Sequence, residues 1–264
     1  MSIEPSGTRD FESKEAEILD LTKKTFQLAY PIYWSGLRIL KDAVDLLIKE
    51  YAASPDTEKP KYKLVLLMLV NRAIQHLESM RLLVERGLYG DAFVLTRSVM
   101  SDLSMVSYLS FHPELHDLFL KESEKDYQEN KAFKKAFNEG EIERELTKKG
   151  MQTADNAFRI LSKTSHASAF GSQLFGYRPS RGNKYHFNYG PKFDAEKGLL
   201  LMFVIASGHY DFIVQILAHI EGLENGILPP EWNGVAARTL ELESQVQIFN
   251  TSVEKTLKDL YKTP

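Results

Sequence analysis

The chain has 264 residues, no cysteine and a formal net charge of −3, and 43% of its residues are hydrophobic. This composition is that of a soluble globular protein with one large or two ordinary domains, and it excludes disulfides and thiolate metal sites. The weak negative charge gives no general attraction to nucleic acid or to an anionic membrane. The first residues lack the basic and apolar segments of a signal peptide, so we expect a cytoplasmic protein without a membrane span.

The N-terminal part of the chain predicts two helices. We predict an irregular N-terminal segment over residues 1–13, and apolar residues with helical spacing follow from Lys14. Pro31 ends this first helix and lies near the first turn of the next, since proline cannot continue a helix but fits its start. The second helix is long and amphipathic and extends to Tyr51, a type that pairs with another helix or with a second subunit. We expect a homodimer, and a second subunit is one of these two possible partners of the helix.

The central part of the chain, residues 62–112, predicts the antiparallel helix pair on which the fold is built. In both halves apolar residues recur every three or four positions, which places them on one side of a helix. These inner stripes contain Leu66, Leu69, Ala73, Leu77, Met80 and Val84, and then Leu95, Val99, Leu103, Val106 and Leu109. Gly87 and Gly90 suit a helix C-cap and a turn, and Asp91 is predicted to be the N-cap of the second helix.

Each helix of this pair also has a polar edge. Arg72 and His76 are one turn apart on the first helix, and Arg97 and Ser101 are one turn apart on the second. If the two edges face each other, they form a polar seam within the bundle. The alternative is a surface arginine and a histidine with an ordinary hydrogen bond. Because a buried arginine needs a partner, we take Arg97 and His76 as candidate binding residues.

The later part of the chain predicts further helices and one irregular flap. Residues 171–191 are rich in glycine and proline and predict a small β-hairpin or an irregular flap. Asp194 is the predicted cap of a long apolar helix, and a last helix covers about 235–261. The flap groups basic and aromatic residues that bind phosphate and stack on bases in other proteins, unless they only pack on the body of the domain. These candidate binding residues are Arg178, Arg181, Lys184 and Tyr185.

The sequence thus predicts an all-α fold, a multi-helix bundle that forms a single domain over residues 1–264. It contains no phosphate-binding glycine loop, no dinucleotide fingerprint, no nucleophile elbow and no H-E-x-x-H motif. His112 and His116 have the one-turn spacing of two metal ligands, but no third ligand is close in the sequence. We therefore expect neither a metal nor a cofactor.

One further pair of residues suggests a chemistry. Arg159 and His166 are separated by six residues in RILSKTSH. This spacing resembles the Arg-x4–6-His signature of the HEPN superfamily, all-helical domains of which many are metal-independent ribonucleases that act as dimers. The resemblance implies that His166 transfers a proton and that Arg159 holds the scissile phosphate. On an unbroken helix both would lie on one side, with Arg97 or the flap as a second contact for the anion.

Residues 62–220 are also similar in layout to a bacterial all-helical family of unknown function. The similarity is carried by LTRSVMSD at 95–102 and ILSKTSH at 160–166. It implies a helical bundle and a role in defence or stress, and it specifies no reaction. Two hypotheses stay open, and with them the question of whether the chain is an enzyme. One is a HEPN-like ribonuclease or a degenerate RNA-binding protein, and the other is a non-catalytic helical module that binds a protein partner or a small ligand.

Overall fold

The computed structural model describes seven segments of the chain, residues 9–54, 61–121, 131–150, 177–180, 184–187, 192–223 and 226–262. These segments form nine α-helices, two short 3-10 helices and one two-stranded hairpin. The all-α fold class predicted from the three- and four-residue spacing is confirmed. Three sequence-predicted site residues, Arg159, His166 and Arg181, lie outside the described segments.

The helices follow one another in the order α1 (Arg9–Thr25), α2 (Ala29–Ala53), α3 (Lys61–Glu85), α4 (Tyr89–Phe111), α5 (His116–Leu120), α6 (Lys131–Ala136), α7 (Glu139–Lys148), α8 (Ala195–Leu223) and α9 (Asn233–Lys262). The 3-10 helices are Pro113–Leu115 and Pro230–Trp232. The hairpin lies between α7 and α8 in the sequence and consists of β1 (Tyr177–Ser180) and β2 (Lys184–Phe187), which pair in antiparallel fashion.

The turn between α3 and α4 is built on Gly87. Its φ angle is 71°, in the left-handed region that glycine adopts without steric cost. The N–H of Leu88 donates to the carbonyl of Leu83 at 2.8 Å, and the N–H of Gly87 donates to Val84 at 3.0 Å. These two bonds form a Schellman cap, so the C-cap predicted at Gly87 is confirmed, whereas Gly90 lies in the first turn of α4 and not in the turn between the helices. A Cβ atom on Gly87 would lie 2.7 Å from the carbonyl oxygen of Lys192, which shows that the segment before α8 packs directly on this turn.

The start of α4 differs from the prediction. The helix begins at Tyr89, with Leu88 at the N-cap position, and Asp91 lies in its first turn. Asp91 is therefore not the N-cap, because the Schellman cap of α3 leaves only one residue before the new helix starts. A carboxylate in the first turn still interacts favourably with the positive end of the helix dipole.

Side chains of α3 and α4 meet in a regular order. Thr96 lies with its Oγ1 atom 3.9 Å from the sulfur of Met80, and Arg72 donates a hydrogen bond to Asp102. Positions later on α4 thus meet positions earlier on α3. Nine residues of their predicted inner stripes are at most 3% exposed, namely Leu66, Leu69, Ala73, Leu77, Met80, Val84, Val99, Val106 and Leu109. Leu103 is only partly buried and packs at the edge of the core.

Helix α8 passes through the core. The side chains of Leu201, Met202, Ile205, Phe212 and Ile213 are fully buried. Within the described segments, Ala195–Glu221 is the one stretch that is long and apolar enough to cross a bilayer, and half of its most apolar window is buried inside the protein. Asp194 accepts a hydrogen bond from the N–H of Lys197 at 3.1 Å, which confirms it as the cap of this helix.

Candidate functional site

The polar edges of α3 and α4 face each other around a buried carboxylate. The side chain of Asp102 is 1% exposed, and its Oδ1 atom accepts a hydrogen bond from Nη2 of Arg72. The Arg72 side chain is 56% exposed, so its charged group connects the buried carboxylate to solvent. Because removing the partner of a buried charge is costly, Asp102 and Arg72 form a fixed part of the structure.

His76 lies on the other side of the same carboxylate. Its Nδ1 atom is 3.6 Å from Oδ2 of Asp102, slightly beyond hydrogen-bond distance, and the ring is 25% exposed. Both atoms are buried, and the described part of the chain offers neither of them a hydrogen-bond partner. Burial raises the pKa of Asp102, while Arg72 and His76 act in the opposite direction. A small closure of this gap would let the carboxylate orient the imidazole.

Arg97 forms the second ion pair of the region. Its Nη2 atom is 2.9 Å from Oε2 of Glu139, the first residue of α7. The two side chains are 28% and 48% exposed, respectively. An exposed pair of this kind contributes only about 0–1 kcal/mol to stability. Breaking the Arg97–Glu139 pair to let another group bind Arg97 therefore costs little free energy, whereas breaking the Arg72–Asp102 pair would be costly.

Helix α7 is held on α4 along its length. Asn138 caps it by accepting a hydrogen bond from the N–H of Glu141 at 3.2 Å. Ile142 and Leu146 are buried against the core. Ser104 of α4 donates its hydroxyl to Glu143 at 2.7 Å. These contacts position Glu139 at the edge of the polar region.

The far end of α7 is held by a histidine. The Nε2 and Nδ1 atoms of His112 lie 2.7 Å from Glu145 and 2.8 Å from Glu114, respectively. Burial lowers the pKa of His112, but the hydrogen bonds to both carboxylates outweigh burial, so the net pKa is raised. The other histidine of the sequence pattern, His116, donates a hydrogen bond from Nε2 to the carbonyl of Leu109 at 2.9 Å. The two histidines thus have different partners, and both act in packing.

The polar region encloses one pocket of about 340 Å³ that is open to solvent. Two arginines, one histidine, two carboxylates and two hydroxyls surround it, and these groups belong to Arg72, His76, Arg97, Ser98, Ser101, Asp102 and Glu139. Such a set can bind a polar ligand, because guanidinium groups and hydroxyls donate hydrogen bonds to an anion. Among the residues that the structure describes, no three histidine, aspartate or glutamate side chains are grouped as a metal ion would need.

The candidate residues fall into three groups. Arg97 and His76 line the pocket. Arg178, Lys184 and Tyr185 lie on the hairpin, where Arg178 is opposite His186 and the other two are opposite Ser180 and Pro179. The third group, outside the described segments, contains Arg159, His166 and Arg181.

Five of the seven pocket residues were not among the sequence-based candidates, namely Arg72, Ser98, Ser101, Asp102 and Glu139, although Arg72 and Ser101 belong to the predicted polar edges. Asp102 lies four positions after Ser98 and one after Ser101, so the three share one side of α4. That spacing was a usable signal for a polar face. Glu139 gave no such signal, because it reaches Arg97 from another helix that is distant in the sequence.

Comparisons with known proteins bear on the central part of the chain. Residues 63–174 match a family of unknown function, DUF5677. Neither the curated proteins nor the solved structures include a match to the chain. The matched region starts in the first turn of α3 and contains every residue that lines the pocket, together with Arg159 and His166. The match supports the expected relation of this region to a family of unknown function.

Proposed function

We propose that the protein is a helical module that binds a small ligand through an anionic group, such as phosphate, in the pocket between α3, α4 and α7. The observation that carries this proposal is the position of Arg97. It lines an open pocket together with His76 and is paired there with a half-exposed carboxylate that a ligand can replace. A phosphate can accept two parallel hydrogen bonds from a guanidinium, whereas Glu139 accepts one from Arg97.

The second arginine of the pocket supports the same function. Arg72 uses one nitrogen for Asp102, yet more than half of its side chain is exposed. A guanidinium has five N–H donors in a fixed plane, so donors are left for a ligand. Because the buried carboxylate already holds Arg72 in place, binding costs little conformational entropy. Ser98 and Ser101 add hydroxyl donors at the same pocket.

Calorimetric titration with inorganic phosphate tests this function. We expect wild-type protein to bind phosphate, Arg97→Ala to abolish binding and Arg97→Lys to weaken it, because lysine lacks the planar fork of donors. Arg144→Ala is the matched control, since Arg144 is an exposed arginine of α7 that pairs with Glu141 and does not line the pocket. Equal phosphate affinity in wild type and Arg97→Ala would refute the proposal.

We propose as a second function a metal-independent ribonuclease of the HEPN type, because the spacing of Arg159 and His166 resembles the signature of that superfamily. The matched region includes the pocket as well as Arg159 and His166. In this proposal His166 transfers the proton and Arg159 holds the scissile phosphate. Arg97 provides a second positive group that contacts the phosphate. The HEPN resemblance implies a homodimer, and the layout shared with the bacterial all-helical family implies a role in defence or stress.

Cleavage of RNA in the presence of a chelator tests the ribonuclease hypothesis. His166→Ala and Arg159→Ala should remove the activity and leave the melting temperature close to that of the wild type. Lys163→Ala, which changes a basic residue of the same segment, is the control and should cleave normally. Full activity in the His166→Ala protein would exclude this residue as the acid or base.

A further inference from the structure

We infer that His76 takes up a proton when an oxyanion binds in the pocket, so that the pocket binds oxyanions more tightly in mildly acidic than in mildly alkaline solution. This inference rests on the proposed binding of an anionic group at Arg97. It assigns to His76 the role of a binding residue that donates one hydrogen bond to the ligand and another to Asp102.

The imidazole of His76 lies between the pocket and a buried carboxylate. Its Nδ1 atom is 3.6 Å from Oδ2 of Asp102, and these two buried atoms have no hydrogen-bond partner among the residues that the structure describes. The His76 side chain is 25% exposed and lines the pocket. Because Nδ1 itself is buried, the exposed part of the side chain consists of other atoms. One ring nitrogen therefore faces the carboxylate, and other atoms of the side chain face the pocket.

A neutral imidazole cannot donate to both sides, because it carries only one N–H group. If the proton is on Nδ1, it points to the carboxylate, and the lone pair on Nε2 repels an oxyanion in the pocket. If the proton is on Nε2, that nitrogen can bind the oxyanion, but the lone pair on Nδ1 then faces the carboxylate oxygen of Asp102. An imidazolium ion donates from both nitrogens. An oxyanion that binds at Nε2 of His76 therefore favours the protonated ring.

The charges around the pocket favour the same change. Arg72 on α3 is paired with Asp102 on α4. Arg97 on α4 is paired with Glu139 on α7. The pocket is thus lined by two positive and two negative groups, which balance each other. A doubly charged oxyanion adds negative charge to this balanced set, and a proton on His76 compensates part of it.

The other ion pairs that the described segments form between the α3 region and its neighbouring helices lie near the two ends of α3. They are Lys61 with Asp117, Lys63 with Glu50 and, just after the helix, Arg86 with Glu15. His76 is more than two helical turns from each of these positions on the chain, so the groups of the pocket dominate its electrostatic environment.

Calorimetric titration with sodium sulfate tests the inference. Sulfate is a tetrahedral oxyanion that stays doubly charged between about pH 6 and about pH 8, whereas phosphate itself gains a proton in this range. Wild-type protein should bind sulfate about three- to tenfold more tightly at the lower pH, since one linked proton changes an affinity by at most about tenfold per pH unit. At an intermediate pH, titrations in buffers of different ionisation enthalpy should show net proton uptake on binding.

Two histidine variants identify the group that takes up the proton. His76→Gln removes the titrating ring and keeps a neutral side chain that can hydrogen-bond, so it should bind sulfate without proton uptake and equally well at both pH values. His112→Gln is the matched control, because His112 is 23% exposed, pairs with Glu114 and Glu145, and does not line the pocket. This variant should keep the proton uptake, and the melting temperatures of both variants should show that they are folded.

The outcomes separate this inference from the proposed function. Proton uptake that persists in His76→Gln, or that is lost in His112→Gln, assigns the proton to another group and overturns the inference. Sulfate binding by wild type without proton uptake overturns it as well and leaves the proposed binding function intact. If wild type binds neither sulfate nor phosphate at either pH, the proposed function fails too.

Discussion

Replacement of Arg72 by alanine should destabilise the protein in a pH-dependent way. The change leaves Asp102, whose side chain is 1% exposed, as a buried carboxylate without its cation. Breaking a fully buried ion pair costs about 3–5 kcal/mol. Since Arg72 is itself half-exposed, water reaches part of the vacated site, and we expect a loss of about 2–4 kcal/mol in the free energy of unfolding at neutral pH.

The pH dependence follows from the sign of the pKa shift. Burial raises the pKa of Asp102 above its ordinary value of 3.8 even with Arg72 present. Without the guanidinium the pKa rises further, so the folded variant takes up a proton more readily than the unfolded chain. The penalty of Arg72→Ala is therefore largest above the folded pKa of Asp102 and shrinks as the pH falls toward its unfolded value.

Urea unfolding of wild type and Arg72→Ala at about pH 7.5 and about pH 4.5 measures this difference. Arg238→Ala is the control, because Arg238 and Asp42 form a pair in which both side chains are more than 40% exposed. It should cost at most about 1 kcal/mol at both pH values. Adding Asp102→Asn to Arg72→Ala should restore part of the stability, since the buried charge is gone. A cost that is equal at the two pH values would refute the reasoning.

Three further predictions concern the core, the central turn and the end of α7. Leu77→Ala should lower the free energy of unfolding by about 2–5 kcal/mol, and Leu103→Ala by less because Leu103 is only partly buried, as urea titration would show. Gly87→Ala should lower the melting temperature more than Gly150→Ala: both glycines have positive φ, but only Gly87 has backbone atoms within 3 Å of the added Cβ. The folded pKa of His112 is raised, so the contribution of His112 to stability is present below its ordinary pKa of 6.5 and is lost as the pH rises through the folded pKa. The protection of α7 amides against hydrogen exchange should therefore fall over this pH range, and His112→Gln should remove that fall.

Local sequence patterns predicted the helices and their caps better than the contacts between helices. The apolar spacing around Leu69 and Leu77 and the cap at Asp194 depend on neighbours within about one turn of helix, so the sequence displays them directly. The position of Asp91 was predicted wrongly because two overlapping caps competed for the same short turn. The pairing of Glu139 with Arg97 depends on how α7 lies on α4, and no local pattern encodes that contact.

The attachment of α7 to α4 has a consequence for the two ends of that helix. α7 is about 15 Å long, with Glu139 at the pocket and Glu145 at His112 toward its far end. A shift of this helix therefore acts on the Arg97–Glu139 ion pair at one end and on the imidazole of His112 at the other. Thermodynamic linkage requires any such coupling to be reciprocal. If occupancy of the pocket alters proton uptake at His112, then pH alters the affinity of the pocket by the same factor.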